Sequence, residues 1–466
     1  MENQQALGTE SVGKLLLKYS VPAIIGMLVN ALYNVVDRIF IGNIPGVGPL
    51  AITGVGVTMP IMSITLAFAM LIGIGCTTNI SIKLGQGKKE DAQKIIGNGI
   101  TLSIIISLIL SIIGIVFGNQ ILHLFGASDQ TLYYAKSYIY IILAGTVFNT
   151  LGFTLNNTIR GDGNPKLAAT IMVVGCITNV ILDAVLIFVF NLGIQGAAIA
   201  TVISQIVTAL WGLIYYVKGK SNLTFEKSSL KLDKSLVKAI IAIGIAPFSM
   251  QIATSLVQVI SNNALKMYGG DLAIGAMATI SSISMIFLMP IFGLNQGSQP
   301  IIGFNYGAKQ YDRANKAFKI SALISIVILT AGWVLVQLSP ETVIGMFNKD
   351  PKLMDISVNG IRIYLFMIPI IGISITGSNY IQSVGKAKIA TVLSLLRQVI
   401  LLIPMILILP NFFGLNGVWY ASPISDFLST ALFQLPNHIS LVEAEFGLPQ
   451  FLKLFYNNRR LQNHVS

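Results

Sequence analysis

Histidine, cysteine and charge are all scarce in this 466-residue chain. Its two cysteines, Cys76 and Cys176, lie in apolar stretches with no metal-ligand spacing around them. They are expected to be small packing residues. The three histidines, His123, His438 and His464, are scattered near surfaces and suggest no shared chemistry. No phosphate-cradling motif stands beside a Lys-Ser or Lys-Thr pair. Together these gaps argue against an enzyme and call for no cofactor. Charged residues make up 10% of the chain, where a soluble domain has about 25%. That excludes an ordinary soluble fold.

What replaces charge is apolar length. Hydrophobic residues are 54% of the chain, and the mean hydropathy is +0.76. Uncharged runs recur at Ile95–Phe117, Gly193–Val217, Ala239–Leu265 and Leu272–Ala308. A membrane span needs roughly 20 such residues. In lipid the backbone must satisfy itself, so spans are helices or a closed barrel. Barrel strands alternate in polarity over about 10 residues, and these runs do not. The sequence therefore predicts an all-α polytopic membrane protein. Twelve spans are expected, near 15–42, 51–82, 94–118, 131–159, 166–190, 193–217, 236–265, 271–306, 317–339, 357–383, 388–410 and 414–435. The eighth exceeds one crossing, and Pro290 with Gly293 predicts a bend in it.

The net charge of +12 has an orientational reading. With both termini cytoplasmic, Lys83, Lys88, Lys89, Lys94, the basic segment 218–238 and Lys309–Lys319 all fall inside. The outer segments then hold only Lys136, Lys266, Lys349, Lys352 and Arg362. This is the positive-inside pattern, and it fits an even number of spans. Anionic lipid accounts for the basic charge, so no nucleic-acid partner is expected. Residues 1–12 are polar and carry Glu2 and Glu10, unlike a cleavable signal, so the first span is expected to be retained. A plasma (inner) membrane location follows.

The halves repeat. Residues 50–94 align without a gap on 272–316, an offset of 222. Gly75 falls on Gly297, Gly85 on Gly307, Glu90 on Asp312 and Lys94 on Lys316. At an offset of 221, GIQGAAIATVIS (Gly193–Ser204) falls on GLNGVWYASPIS (Gly414–Ser425). Two homologous six-helix bundles are expected: an N-lobe at 1–217, a basic cytoplasmic linker at 218–235, a C-lobe at 236–435 and a cytoplasmic tail at 436–466. Parallel repeats of this kind are a transporter plan with the substrate site between the halves.

Two acids stand out within apolar stretches, Asp37 and Asp183. An intramembrane carboxylate costs at least ~2.5–3.5 kcal/mol on insertion scales, and it normally marks an ion or proton path. Their repeat mates are uncharged: Asn262 for Asp37 and Met405 for Asp183. The asymmetry suggests a coupling site confined to the first half. Asn179 and Asp183 are i,i+4 and share a helix face. Thr201 follows on the next helix. With Asp37 these residues could offer oxygens to a hard cation. Two buried carboxyls could equally hold a proton. A structural alternative pairs Asp37 with Arg38. Asp426 is a weaker candidate that could bind neighbouring backbone or pair with Arg397.

Specific patches resemble the multidrug and toxic compound extrusion (MATE) transporters over nearly the whole length. They are NVVDRIFIG (Asn34–Gly42), IGIGCTTNISIKLGQG (Ile72–Gly87), IRGDGNPKLA (Ile159–Ala168), TNVILDAVLIF (Thr178–Phe188), GIQGAAIAT (Gly193–Thr201) and GLNQGSQPIIGFNYGAK (Gly293–Lys309). The resemblance implies two bundles forming a V-shaped central cavity. It also implies secondary active antiport by alternating access, exporting lipophilic, often cationic drugs against inward H⁺ or Na⁺. The family's coupling cluster carries over to Asp37, Asn179, Asp183, Asn156 and Thr201. Acids that some relatives carry in the second lobe are missing from Ala239–Leu265, Leu272–Ala308 and Ile363–Val384. This points to the DinF/MepA-like side of the family and puts a second cation site in doubt.

For the substrate cavity, polar and flexible mid-span residues are the candidates: Asn30, Asn34, Asn149, Met172, Gln251, Asn263, Met285 and Asn379. Met-rich surfaces can repack around different ligands. Each is also a candidate for packing or interhelical hydrogen bonding. Expected partners are small amphiphilic or cationic drugs and the lipid bilayer, with the monomer as working unit. The nearest rival is a lipid-linked precursor flippase of similar architecture. Buried arginine is scarce, only Arg38 and Arg397, which argues against a phosphate-binding cavity.

Overall fold

A computed structural model describes residues 2–218, 221, 223, 227–346 and 351–433. The expected tail at 436–466 and part of the linker lie outside the described residues. The described residues are helical throughout, with no strand among them. A short α1 (Glu2–Thr9) precedes α2 (Val12–Gly42), α3 (Gly48–Gly85) and α4 (Lys89–Val116). Next come the short α5 (Gly118–Leu124), α6 (Asp129–Gly161), α7 (Pro165–Ala184) and α8 (Gly193–Val217). The second half holds α9 (Lys234–Gly270), α10 (Leu272–Gly307) and α11 (Tyr311–Leu338). It continues through α12 (Pro340–Gly345), α13 (Pro351–Tyr364), α14 (Ile368–Ser383) and α15 (Ala387–Leu395). It closes with α16 (Ile403–Ile408), α17 (Pro410–Phe413) and α18 (Leu415–Phe433).

Among the described residues, ten helices are long and apolar enough to cross a membrane, and a bent pair brings the number to eleven. The twelfth expected span is the 19-residue α18, which carries Asp426. The bent pair is the tenth expected span: α13 and α14 meet at 53°, where a continuous helix was expected. The eighth span differs in the other direction. It stays helical through Pro290 and Gly293, and the non-helical residue is Gly270, at φ 65°, in the turn before it. Two π-helical segments also appear, Val185–Val189 after α7 and Leu396–Leu402 after α15.

The lobes meet along a glycine-lined seam. A side chain at Gly85 would strike the Phe304 carbonyl, and one at Gly307 the Ile82 carbonyl. These repeat mates therefore face each other across α3 and α10. Gly75 lies against Ile240 of α9, while its mate Gly297 lies against Ser20 of α2. Only glycine permits such backbone approach. Polar cross-links run along the same seam. Asn79 Nδ2 donates to Ala239 O (3.2 Å), Gln299 Nε2 to Thr78 Oγ1 (2.9 Å) and Ser20 Oγ to Leu294 O (3.4 Å). All of these lie toward the ends of the helices that carry the lysine-rich loops. At that end the two halves are closed against each other.

Candidate functional site

Asp37 sits near the end of α2 remote from the lysine-rich loops and is 9% exposed; Asp183 is the penultimate residue of α7 and is fully buried. The pair thus lies toward the lysine-poor ends of these helices. Asn164 caps α7, its side chain accepting from Leu167 N, and Pro165 starts the helix. The π-helix Val185–Val189 follows directly. A close turn then brings α8 back, where a side chain on Gly196 would press on the Leu186 backbone. That turn places Thr201 beside Asn179. With its amide oriented to satisfy both ends, Asn179 donates to Asp183 Oδ2 (3.1 Å) and accepts from Thr201 N (3.2 Å).

The two buried carboxyls stand close enough to act on each other electrostatically. Neighbouring carboxylates repel in a buried site, so the pair favours holding a proton. One oxygen on each, Asp37 Oδ1 and Asp183 Oδ1, is buried with no hydrogen-bond partner among the described residues. Orphan buried oxygens of this kind call for a proton, a cation or water. The structural alternative, an Asp37–Arg38 ion pair, does not form among the described residues. Arg38 is exposed, and its Nη2 reaches Met59 Sδ at 3.9 Å.

Two tyrosines complete the cluster and were not singled out from the sequence. Tyr33, one turn before Asp37, stands near both acids. Tyr138 of α6 also stands near both acids. The i,i+4 spacing of Tyr33 and Asp37 was a readable signal; nothing local marks Tyr138.

Asn156 is not brought to this cluster. It lies near the lysine-rich end of α6. Its Nδ2 donates to Ala168 O (2.7 Å), and its Oδ1 accepts from Arg160 Nη2 (2.6 Å). Among the cavity candidates, Asn379 donates to Asn295 O (3.3 Å) and Ser298 Oγ (3.2 Å), an interhelical role. Met172 packs on Gly26 of α2. Asn34 donates to Asn30 O (2.7 Å). Asn30, Asn149 and Gln251 are partly exposed, and Asn34, Asn263 and Met285 are exposed. Asp426 pairs with Arg397 at 2.5 Å rather than with backbone.

A two-lobed bundle of membrane-spanning helices, closed at one end and holding an acid pair in its first half, has the form of a secondary transporter. The MatE family model matches residues 22–185 and again 248–408, so the chain belongs to the MatE family. It is 27% identical over 445 residues to the multidrug export protein MepA of Staphylococcus haemolyticus, covering 93% of this chain and 97% of that protein. It is 38% identical to the MATE multidrug transporter DinF-BH, whose structure was solved as a complex. The superposition covers 94% of this chain and 96% of that one, at a TM-score of 0.86. A MOP superfamily transporter from Pyrococcus furiosus shares the fold at a TM-score of 0.89 and 22% identity, over 96% and 99% of the chains. The two-lobe reading and the DinF/MepA-like placement agree with these matches.

Proposed function

We propose that this protein is a secondary active multidrug exporter, carrying lipophilic and cationic amphiphiles outward in exchange for protons. The similarity to MepA and DinF-BH supports drug export. The observation that carries the ion assignment is the pairing of the buried Asp37 and Asp183, each with an unpartnered oxygen. Two buried carboxyls side by side repel as anions and favour holding a proton, with Asn179 bonding both Asp183 and Thr201. Na⁺ would instead need the orphan Asp37 and Asp183 oxygens together with Asn179 and Thr201.

Protonation of the pair weakens its hold on a cationic drug, and by reciprocity drug weakens the proton's hold by the same factor. Alternating access then moves the site between the closed lysine-rich end and the other face. The lobes are proposed to span 1–217 and 236–435 as a working monomer in the plasma (inner) membrane, with both termini cytoplasmic. The flippase alternative finds no support in the matched relatives. The test is drug efflux from proteoliposomes under separately imposed H⁺ and Na⁺ gradients. Export driven by H⁺ alone is the expected result. Export driven only by Na⁺ would refute the proton assignment.

A further inference from the structure

Arg397 lies within the membrane-spanning stretch Lys388–Phe413. It is the second residue of the π-helix Leu396–Leu402. Such a bulge re-aims side chains, and π-bulges concentrate at functional sites. Arg397 Nε donates to Asp426 Oδ1 at 2.5 Å. The second Asp426 oxygen accepts from Ser422 Oγ at 3.4 Å. Tyr364, at the 53° break that ends α13, stands near both charges. The Asp426 carboxylate, 1% exposed, is therefore served on both oxygens.

The guanidinium is not. Nε is its only bonded donor among the described residues. The two Nη groups carry four more N–H donors. They are bonded to no described residue, and they are not among the atoms sealed from contact with surroundings. The Arg397 side chain is 20% exposed. An open cationic edge inside a span cannot rest against hydrocarbon, which offers no acceptor. Nor can it snorkel out, being pinned to Asp426 and set roughly 14 Å of helix rise beyond Lys388. Inside a span that edge needs an acceptor that hydrocarbon does not offer, and a hydrated cleft between the lobes would supply one. The repeat sharpens the point. Arg397 falls on Gly175 and Asp426 on Gln205, and Gly175 packs closely on Thr208 of α8. At these two matched positions the helix pairing is uncharged in one lobe and carries an open guanidinium in the other.

We propose that Arg397 is a specificity-determining residue whose Nη edge receives the carboxylate of zwitterionic amphiphiles. The inference rests on the drug-export reading of the cleft. A guanidinium can serve one carboxylate through Nε and present its planar fork to a second. The ligand's own cation keeps the added charge near zero. The cleft would then be bipolar, acidic in the first lobe and cationic in the second.

The test uses one dye skeleton in two forms: a cationic xanthylium ester and its zwitterionic free acid. Binding of each to the purified full-length protein is followed by fluorescence anisotropy. Arg397→Gln should weaken the free acid by about tenfold or more, the loss of a charge-assisted hydrogen bond, and leave the ester within about twofold. Equal weakening of both dyes, or no change for the acid, would overturn the proposal. If Arg397→Gln misfolds because Asp426 is left unpaired, Arg397→Met with Asp426→Leu removes both charges. The acid-to-ester affinity ratio should fall equally there, and an unchanged ratio overturns the proposal. A wild-type protein that binds the ester but not the acid refutes this inference alone. One that binds neither refutes the export reading with it.

Discussion

At the residue scale, Asp183 and Asp37 were legible because acids in apolar helices are rare and costly. Their partners were less so. Asn179 and Thr201 were readable from helix spacing and a short turn, and the structure bonds Asn179 to both Asp183 and Thr201. Asn156 entered by family resemblance alone, and its side chain is engaged by Arg160 and Ala168 instead. Tyr138 comes from a different helix, and no local pattern encodes such a tertiary approach. Asp183→Asn keeps shape and removes the titrating group. It should abolish gradient-driven export in proteoliposomes while expression and membrane insertion stay normal; normal export by this variant would sink the acid-pair model. Asp37→Asn should behave alike. Because Arg38 is exposed and unpaired with Asp37, adding Arg38→Gln should not restore export. Drug affinity should depend on pH in the wild type. Protonation of the pair lowers affinity for cations, so affinity should fall as the medium is acidified. Substituting both acids should flatten that profile.

At the element scale, the repeat register announced glycines without saying why they repeat. Gly85 and Gly307 are mates because each meets the other lobe's backbone. A two-fold seam between homologous helices imposes the same small residue twice. The breaks were harder to read. Pro290 sits within a helix that remains regular, because a span tolerates proline where neighbours re-satisfy the freed carbonyl. The real breaks fall at Gly270 and between Tyr364 and Ile368, and the second has no glycine to mark it. Gly307→Leu should force the seam apart, since the backbone of Ile82 cannot yield as a flexible side chain would. Cysteines introduced on the seam-facing side of α3 should then react faster with a water-soluble maleimide. Unchanged labelling would mean that the seam does not hold the lysine-rich end closed.

At the scale of the whole molecule, the lobes are strapped to each other in a crossed fashion. The segment leading into α2, in the first lobe, is held by the second: Arg313 Nη2 donates to Leu7 O (3.1 Å) and Glu10 O (2.6 Å), and Asn305 Nδ2 donates to Leu7 O (3.0 Å). The segment leading into α9, in the second lobe, is held by the first: Asn98 Nδ2 donates to Ser229 O (3.2 Å), and Thr101 Oγ1 donates to Leu230 O (2.8 Å). Both straps cross the closed lysine-rich end, so both must loosen or ride along when that end opens. Arg313→Ala removes the charged clamp and leaves two carbonyls with fewer donors. Hydrogen bonds to a charged group contribute about 1.5–3 kcal/mol, enough to shift a two-state equilibrium by roughly tenfold or more. The expected outcome is a larger population open at the lysine-rich end, read as a longer spin-label distance between the α3–α4 and α10–α11 turns. Asn98→Ala should shift the same distance in the same direction by a smaller amount, because its donors are neutral. If Arg313→Ala leaves the distance distribution unchanged while Gly307→Leu moves it, closure resides in the seam and the straps only follow.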